Sequence, residues 1–215
     1  MKLHGQPVDV FDREKIFLSD ELLWLTTTFP DLKIVMEHIT TREAVDFLID
    51  ASDNVWATVT AHHLLADRND MLGDGINPHL YCKPILKRVE DKKALRTLVT
   101  SGFKRVGLGT DSAAHHLDNK ECACGYAGVF TAVHALEHYV QVFDEEGALQ
   151  CFEGFATRMA GFYEVKFPFT KTVILEKKPQ VVPEQIGETR ANDAYVIPYK
   201  AGEEIPWSVK SIEVT

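Results

Sequence analysis

The sequence predicts an α/β fold that contains half of a (β/α)8 barrel. Three apolar runs rich in β-branched residues, 33–38, 56–62 and 105–111, each end in a histidine or an aspartate, and the short run 2–4 ends in His4. Such runs are typical of buried parallel strands, and polar residues at the carboxyl ends of successive strands form the active site of a barrel. A full barrel typically needs about 250 residues. With 215 residues, the chain offers only four candidate strands before its tail.

Helical periodicity fills the gaps between these strands. It predicts helices over 12–28, 40–49, 92–100, 130–143 and 149–162. Thr40 followed by Glu43 predicts the capped start of the second helix. Alternating strands and helices indicate a parallel sheet with right-handed crossovers.

Two long polar segments and a proline-punctuated tail complete the chain. Residues 62–88 and 111–128 are irregular, and loops of that length are commonly functional. After residue 168, short β-like runs such as 172–175 and 195–197 alternate with prolines. We therefore predict a half-barrel over 1–165 and a carboxyl-terminal extension over 166–215 that packs on the same domain.

Charge and cysteine usage narrow the functional classes. The net charge is −9, from 32 acidic and 23 basic residues, which argues against nucleic acid or an anionic membrane as a partner. No apolar run has the length of a membrane span, and residues 1–6 lack a signal core. The four cysteines are expected to be reduced thiols, so we predict a cytoplasmic protein.

The strand-end residues suggest a metal site. His4, His38 and Asp111 together make a plausible divalent-metal set of two imidazoles and one carboxylate. Each also has a structural alternative, since His4 can be solvated and Asp111 can cap a turn. His62-His63 ends a strand as well, where one imidazole can line the pocket or both can be structural.

Two further patterns are weak metal signals. Cys122-Ala123-Cys124 has tighter spacing than paired zinc cysteines usually show. The segment from His134 to His138 matches H-x-x-E-H, but it lies in a predicted outer helix without confirming context.

Longer motifs carry a family resemblance. Segments 36–41, 78–88 and 109–115 closely resemble the single-function type of dihydroorotase, within the amidohydrolase superfamily, and 3–5, 11–14 and 207–210 fit as well. The resemblance implies strands five to eight, plus the extension, of a (β/α)8 barrel of the metal-dependent hydrolase type, with two Zn2+ ions at its top.

The resemblance also implies roles for individual residues. His4 and His38 resemble the ligands of the second zinc ion. Asp111 resembles a ligand of the first ion and the catalytic base. His115 resembles a contact to the substrate carboxylate, and backbone groups of Lys83 and Ala127 resemble further substrate contacts.

Several family features are missing or altered. The H-x-H zinc pair, the bridging carboxylated lysine, and the arginine and asparagine that hold substrate belong to the absent first half. Gln6 replaces a common glutamate, Ala114 a usual proline, and Lys83 an apolar residue.

Two functional hypotheses follow. The first is a dihydroorotase that interconverts dihydroorotate and N-carbamoyl-L-aspartate in pyrimidine (UMP) synthesis, with a small-molecule substrate, a possible homodimer, and negligible activity as this isolated chain. The second is a non-catalytic fragment or pseudoenzyme that acts as an interaction protein. Another amidohydrolase, such as a hydantoinase, is disfavoured by segment 82–88.

Overall fold

The computed structural model describes residues 2–3, 6–168, 170–187 and 195–214. The strands are β1 (Lys2–Leu3), β2 (Gln6–Pro7), β3 (Ile34–Met36), β4 (Val55–Val59), β5 (Val106–Leu108), β6 (Lys171–Glu176), β7 (Gln180–Val181), β8 (Glu204–Ile205) and β9 (Ser208–Val214). The helices are α1 (Arg13–Phe17), α2 (Leu23–Thr28), α3 (Arg42–Asp50), α4 (Ala61–Leu65), α5 (Arg68–Leu72), α6 (Val89–Thr100), α7 (Leu117–Lys120), α8 (Ala135–Glu145) and α9 (Phe152–Phe162). A π-helical turn (Leu18–Leu22) joins α1 to α2, and short 3-10 turns occur at Pro78–Leu80, Ala132–His134 and Leu149–Cys151.

The central sheet is parallel and has the order β3–β4–β5. Ile34 pairs with Val55, and Ala57 pairs with Val106. Three of the four expected barrel strands are therefore confirmed, with helices on the crossovers between them. Within the described residues these three strands form an open sheet and not a closed barrel.

The first expected strand does not join this sheet. Lys2–Leu3 pairs antiparallel with Gln6–Pro7, so the expectation that residues 2–4 lie parallel to β3 is wrong for the residues described there. A two-residue strand offers few ladder hydrogen bonds, and residues close along the chain supply them at the lowest loss of chain entropy.

The larger of two hydrophobic clusters lies between the sheet and its helices. The core contains Val59 of β4, Leu48 of α3, Leu95 of α6, Phe143 of α8 and Phe155 of α9, all fully or almost fully buried. The two aromatic rings lie 5.3 Å apart between centroids. This packing fixes the carboxyl ends of β3, β4 and β5 relative to one another.

Helix α3 starts one residue later than expected. Its cap is Thr41, whose hydroxyl accepts a hydrogen bond from the Ala44 N–H at 3.1 Å. The Thr40 hydroxyl instead donates to the Glu14 carboxylate, which also accepts the Thr40 N–H at 2.9 Å. The prediction of Thr40 as the cap is therefore wrong, because a carboxylate on α1 takes its hydroxyl.

The tail folds into two small antiparallel pairs, β6 with β9 and β7 with β8. It contacts α8, because the Trp207 indole N–H donates to Asp144 at 3.2 Å and the Lys177 ammonium lies 2.6 Å from the same carboxylate. A division at residue 165 remains a prediction. Among the residues that the structure describes, no helix has both the length and the apolar character needed to cross a bilayer.

Candidate active site

His38 and Asp111 meet at the carboxyl ends of β3 and β5. The His38 Nδ1 lies 3.8 Å from the Asp111 Oδ2, and each side chain is partly buried. Both residues have a positive φ, 55° and 43°, which is uncommon for residues other than glycine and is concentrated at functional sites. The sequence-predicted convergence of these two residues is observed, whereas His4 lies outside the described residues.

Thr58 of β4 holds the turn that carries His38. Its hydroxyl accepts the His38 backbone N–H at 2.9 Å and donates to the Glu37 carboxylate at 2.5 Å. That carboxylate lies 3.6 Å from the His38 Nε2, on the opposite side of the ring from Asp111. A carboxylate in this position can orient an imidazole whose other nitrogen faces a ligand.

Gly109 allows β5 to approach Thr58. A methyl group on Gly109 would lie 2.6 Å from the Thr58 Cβ and 2.8 Å from its hydroxyl oxygen. Real side chains do not reach such distances, so a larger residue at position 109 would displace Thr58 or β5. This close contact places Asp111 beside His38.

Burial dominates the electrostatics of Asp111. Desolvation raises the pKa of the Asp111 carboxyl, His38 opposes that shift, and the Glu37 carboxylate adds to it. A carboxylate with a raised pKa is a stronger base than one in water, which suits proton transfer.

His115 and Ala127 form a second part of the site. The His115 Nε2 is 3.0 Å from the Ala127 carbonyl oxygen, and the His115 ring contacts Tyr126 edge-to-face. Gly128 has a φ of 157°, and a methyl group there would lie 2.8 Å from the His115 ring. The structure therefore brings together two of the three predicted substrate contacts.

Lys120 ties this loop to the segment that carries Lys83. The Lys120 side chain is only 4% exposed, and its ammonium donates to the carbonyl oxygens of Tyr81, Tyr126 and Gly128 at 3.0, 2.8 and 2.7 Å. The Gly128 N–H also donates to the Tyr81 carbonyl at 2.8 Å. Sequence reasoning missed Lys120, because a lysine in a polar run is ordinarily solvated.

Lys83 is exposed and lines the same cleft as His38. Both residues line a cleft of about 640 Å³ that runs along β3 and α1. His115 and Ala127 are not among the residues that line this cleft. The third predicted substrate contact therefore shares a cleft with His38.

The weak metal patterns find no support in the structure. Cys122 and Cys124 are exposed, and His134 is paired with Glu137 at 3.1 Å. In the described part of the chain, neither pattern belongs to a group of three possible ligands. Such a group does occur elsewhere, where His62, His63 and Cys82 are buried together.

Comparisons with known proteins give a consistent result, although no family profile matches the chain. Dihydroorotase of Hahella chejuensis is 50% identical over 213 residues, and that of Shewanella amazonensis is 50% identical over 215. Each alignment covers 97% of this chain but only 61% of the relative, so the chain spans about three fifths of the length of these relatives.

Solved structures of the same enzyme superpose closely. The Saccharomyces cerevisiae dihydroorotase in complex with 5-fluoroorotic acid has a TM-score of 0.88 at 36% identity, over 98% of this chain and 60% of that one. The Campylobacter jejuni dihydroorotase has a TM-score of 0.84 at 38% identity, over 96% and 59%. A D-hydantoinase at 14% identity and a TM-score of 0.68 shares the fold.

Proposed function

We infer that the chain belongs to the dihydroorotase family, as the carboxyl-terminal part of its barrel, and we propose on that premise that it contributes His38 and Asp111 to a dihydroorotase active site. The reaction is the reversible hydrolysis of dihydroorotate to N-carbamoyl-L-aspartate in pyrimidine synthesis. The observation that carries the proposal is the 3.8 Å approach of the His38 Nδ1 to the Asp111 Oδ2 at the ends of β3 and β5.

The donor atoms fit Zn2+ in part. An imidazole nitrogen and a carboxylate oxygen are common zinc ligands. The His38 Nδ1 and the Asp111 Oδ2 are 3.8 Å apart, which is too far for a hydrogen bond between them, so both atoms remain available to a metal ion. His4 would add a third ligand from the segment outside the described residues. Two zinc ions bound at these positions would supply Lewis acidity and a nucleophile at neutral pH.

Asp111 is proposed as the base. Burial raises the pKa of its carboxyl, which favours uptake of a proton at an Asp111 oxygen and its later delivery to the leaving ring nitrogen. Thr58 and Glu37 act on His38 by fixing its backbone and by facing its Nε2.

His115 is proposed to bind the substrate carboxylate. The His115 Nε2 already contacts the Ala127 carbonyl oxygen, so Nδ1 is the ring nitrogen that remains for the substrate carboxylate. The Lys120 contacts to Tyr126 and Gly128 hold the Ala127 segment in place.

Catalysis by the proposed site can be tested with a restored barrel. We expect negligible turnover from the chain alone, and dihydroorotase turnover after fusion to the amino-terminal part of the Hahella chejuensis relative. Asp111→Asn in the fusion should lower kcat by at least about 10³-fold, because groups that act as one catalytic unit fail together. Asp118→Asn is the matched control, since Asp118 is an exposed aspartate on α7, seven residues further along the chain.

The assay is the ultraviolet absorbance of dihydroorotate during ring opening. A folded, zinc-loaded fusion that turns over equally well with Asp111→Asn would contradict the assigned base. Robust turnover by the chain alone would contradict the requirement for a second half. A cytoplasmic location and a homodimer remain proposals, which fractionation and sedimentation would test.

A second candidate is an interaction protein. Phe17, Leu23 and Trp24 are each about half exposed on the first helical segment, with Trp24 at 58%. This surface and the adjoining cleft fit an apolar partner surface, such as the missing half of a barrel. Binding of that half in trans without any turnover would favour this candidate.

A further inference from the structure

A group of possible metal ligands lies buried behind the carboxyl end of β4. His62, His63 and Cys82 are 0%, 2% and 0% exposed. One ligand atom from each lies within 4.8 Å of the other two, and the Cys82 Sγ is 3.8 Å from the His63 Nε2. The two imidazole rings are 4.6 Å apart between centroids.

His62 is the unusual member of this group. Both of its ring nitrogens are buried, and neither has a hydrogen-bond partner. A buried polar group left without a partner costs about 1–3 kcal/mol, so native structures rarely retain one without a reason. Burial, with a smaller contribution from His63, holds the pKa of His62 well below its usual value, so the ring is neutral and keeps a lone pair.

We propose that His62, His63 and Cys82 form a second metal site, for a d10 ion of the Zn2+ or Cu+ type, separate from the His38–Asp111 pair. Two imidazoles and a thiolate suit both ions. With metal–nitrogen and metal–sulfur bonds of about 2.1 and 2.3 Å, a tetrahedral ion separates the two ligand atoms by about 3.6 Å. The Sγ–Nε2 distance of 3.8 Å is close to that value.

Neighbouring groups complete the site. The Thr60 hydroxyl lies 2.7 Å from the His63 Nδ1 and can orient this ring as outer partners of zinc-bound histidines do. The Pro84 carbonyl oxygen is 3.0 Å from the His63 Nε2 and 3.1 Å from the Cys82 Sγ. A backbone oxygen in this position is the kind of weak additional ligand that two-histidine, one-cysteine sites accept.

Binding of one ion at this site releases one proton. In the metal-free chain the His63 Nε2–H and the Cys82 thiol both donate to Pro84. Ion binding moves the His63 proton to Nδ1, where it is donated to Thr60, and releases the Cys82 proton to solvent. Burial raises the pKa of Cys82 to about 12, so the thiol is otherwise protonated and one proton is released per ion bound.

The proposed hydrolysis does not involve the second metal site, so this site can be tested without an activity assay. The starting protein is the full chain with Cys122, Cys124 and Cys151 changed to serine, which leaves Cys82 as its single thiol. It is refolded with Co2+, a spectroscopic substitute for Zn2+. We expect one thiolate-bound Co2+ per chain, seen as a thiolate-to-cobalt charge-transfer band.

Three variants locate the ion. Cys82→Ser should abolish the band, and His62→Gln should weaken Co2+ binding at least about tenfold, the lower limit for loss of an outer-shell partner. His38→Ala should leave the band unchanged, which separates this site from the proposed catalytic one. Competition by Zn2+ and by Cu+ under reducing conditions identifies the preferred ion.

A second measurement avoids the variants at the site. Zn2+ should protect the single thiol of the starting protein from alkylation in mild denaturant. A folded chain that takes up no thiolate-bound ion and shows no protection overturns the proposal, because His62 then holds a buried water or no partner. A band that survives Cys82→Ser, or that is lost with His38→Ala, also overturns it.

Discussion

Replacing Lys120 with methionine should destabilise the chain strongly. Hydrogen bonds from a charged donor each contribute about 1.5–3 kcal/mol, and the Lys120 ammonium donates three of them to buried carbonyl oxygens. Desolvation of the ammonium offsets part of this gain. Removing this donor leaves the Tyr126 and Gly128 carbonyl oxygens without that partner, and each unsatisfied buried acceptor costs about 1–3 kcal/mol, so we expect a loss of about 3 kcal/mol.

Urea unfolding followed by tryptophan fluorescence measures this loss. With a slope of about 3 kcal/mol per molar urea, a loss of about 3 kcal/mol lowers the midpoint by about 1 M. Lys83→Met is the matched control, because Lys83 is an exposed lysine on the segment that Lys120 contacts and its replacement should change stability by less than about 0.5 kcal/mol. Equal midpoints for the two variants would refute the idea that Lys120 clamps the two loops.

Hydrogen exchange would localise the effect. The Gly128 N–H donates to the Tyr81 carbonyl, and the Tyr126 N–H donates to the Asn119 carbonyl. Both amides should exchange faster in Lys120→Met under native conditions, while amides of the central sheet should respond only through the global loss of stability.

Two further predictions concern packing and acid stability. Gly109→Ala should lower the free energy of unfolding by about 1–3 kcal/mol, because the added methyl group clashes with Thr58. Gly161→Ala should raise the free energy of unfolding by up to about 1 kcal/mol, because Gly161 lies in a helix with open space around it. Thermal melts that rank the two variants the other way would contradict this. Burial lowers the pKa of His138 to about 3, and the charges of Lys200 and His134 add to this shift. Below a pH of about 6.5 the unfolded chain therefore binds a proton at His138 that the folded chain does not bind, so stability falls as the pH drops towards 3. His138→Gln should flatten that fall by up to about 1.4 kcal/mol per pH unit in acid titrations of urea midpoints, and an unchanged slope would argue against a neutral buried His138.

The sequence predicted the elements that have strong periodicity and a buried face. The apolar runs at 33–38, 56–62 and 105–111 contain β3, β4 and β5, because apolar runs rich in β-branched residues are typical of buried parallel strands. The exact cap of α3 was not predictable, since the competitor for the Thr40 hydroxyl is Glu14, a residue 26 positions away. The short helices α4 and α5 were missed inside a segment whose glycines and prolines indicate a loop.

The site could be predicted only where ligands follow strands. His38 and Asp111 end neighbouring elements of one sheet, so their convergence follows from topology. Thr58, Glu37 and Lys120 are ordinary residues in sequence, and their roles depend on a hydroxyl, a carboxylate and an ammonium that reach across loops. The burial of His62 behind the site likewise depends on tertiary packing that no local pattern encodes.

The π-helical turn at Leu18–Leu22 has a consequence for changes in chain length. A π turn contains one residue more than an α turn, so α1 and α2 form one helix that carries a local insertion. Deleting exposed Ser19, Asp20 or Glu21 should convert the turn into ordinary α-helix and leave both flanking segments in phase. Deleting a residue of α3 that precedes Leu48 instead rotates this buried side chain by about 100° away from the core. Length variation in this protein should therefore be tolerated at the first helix and rejected at the third.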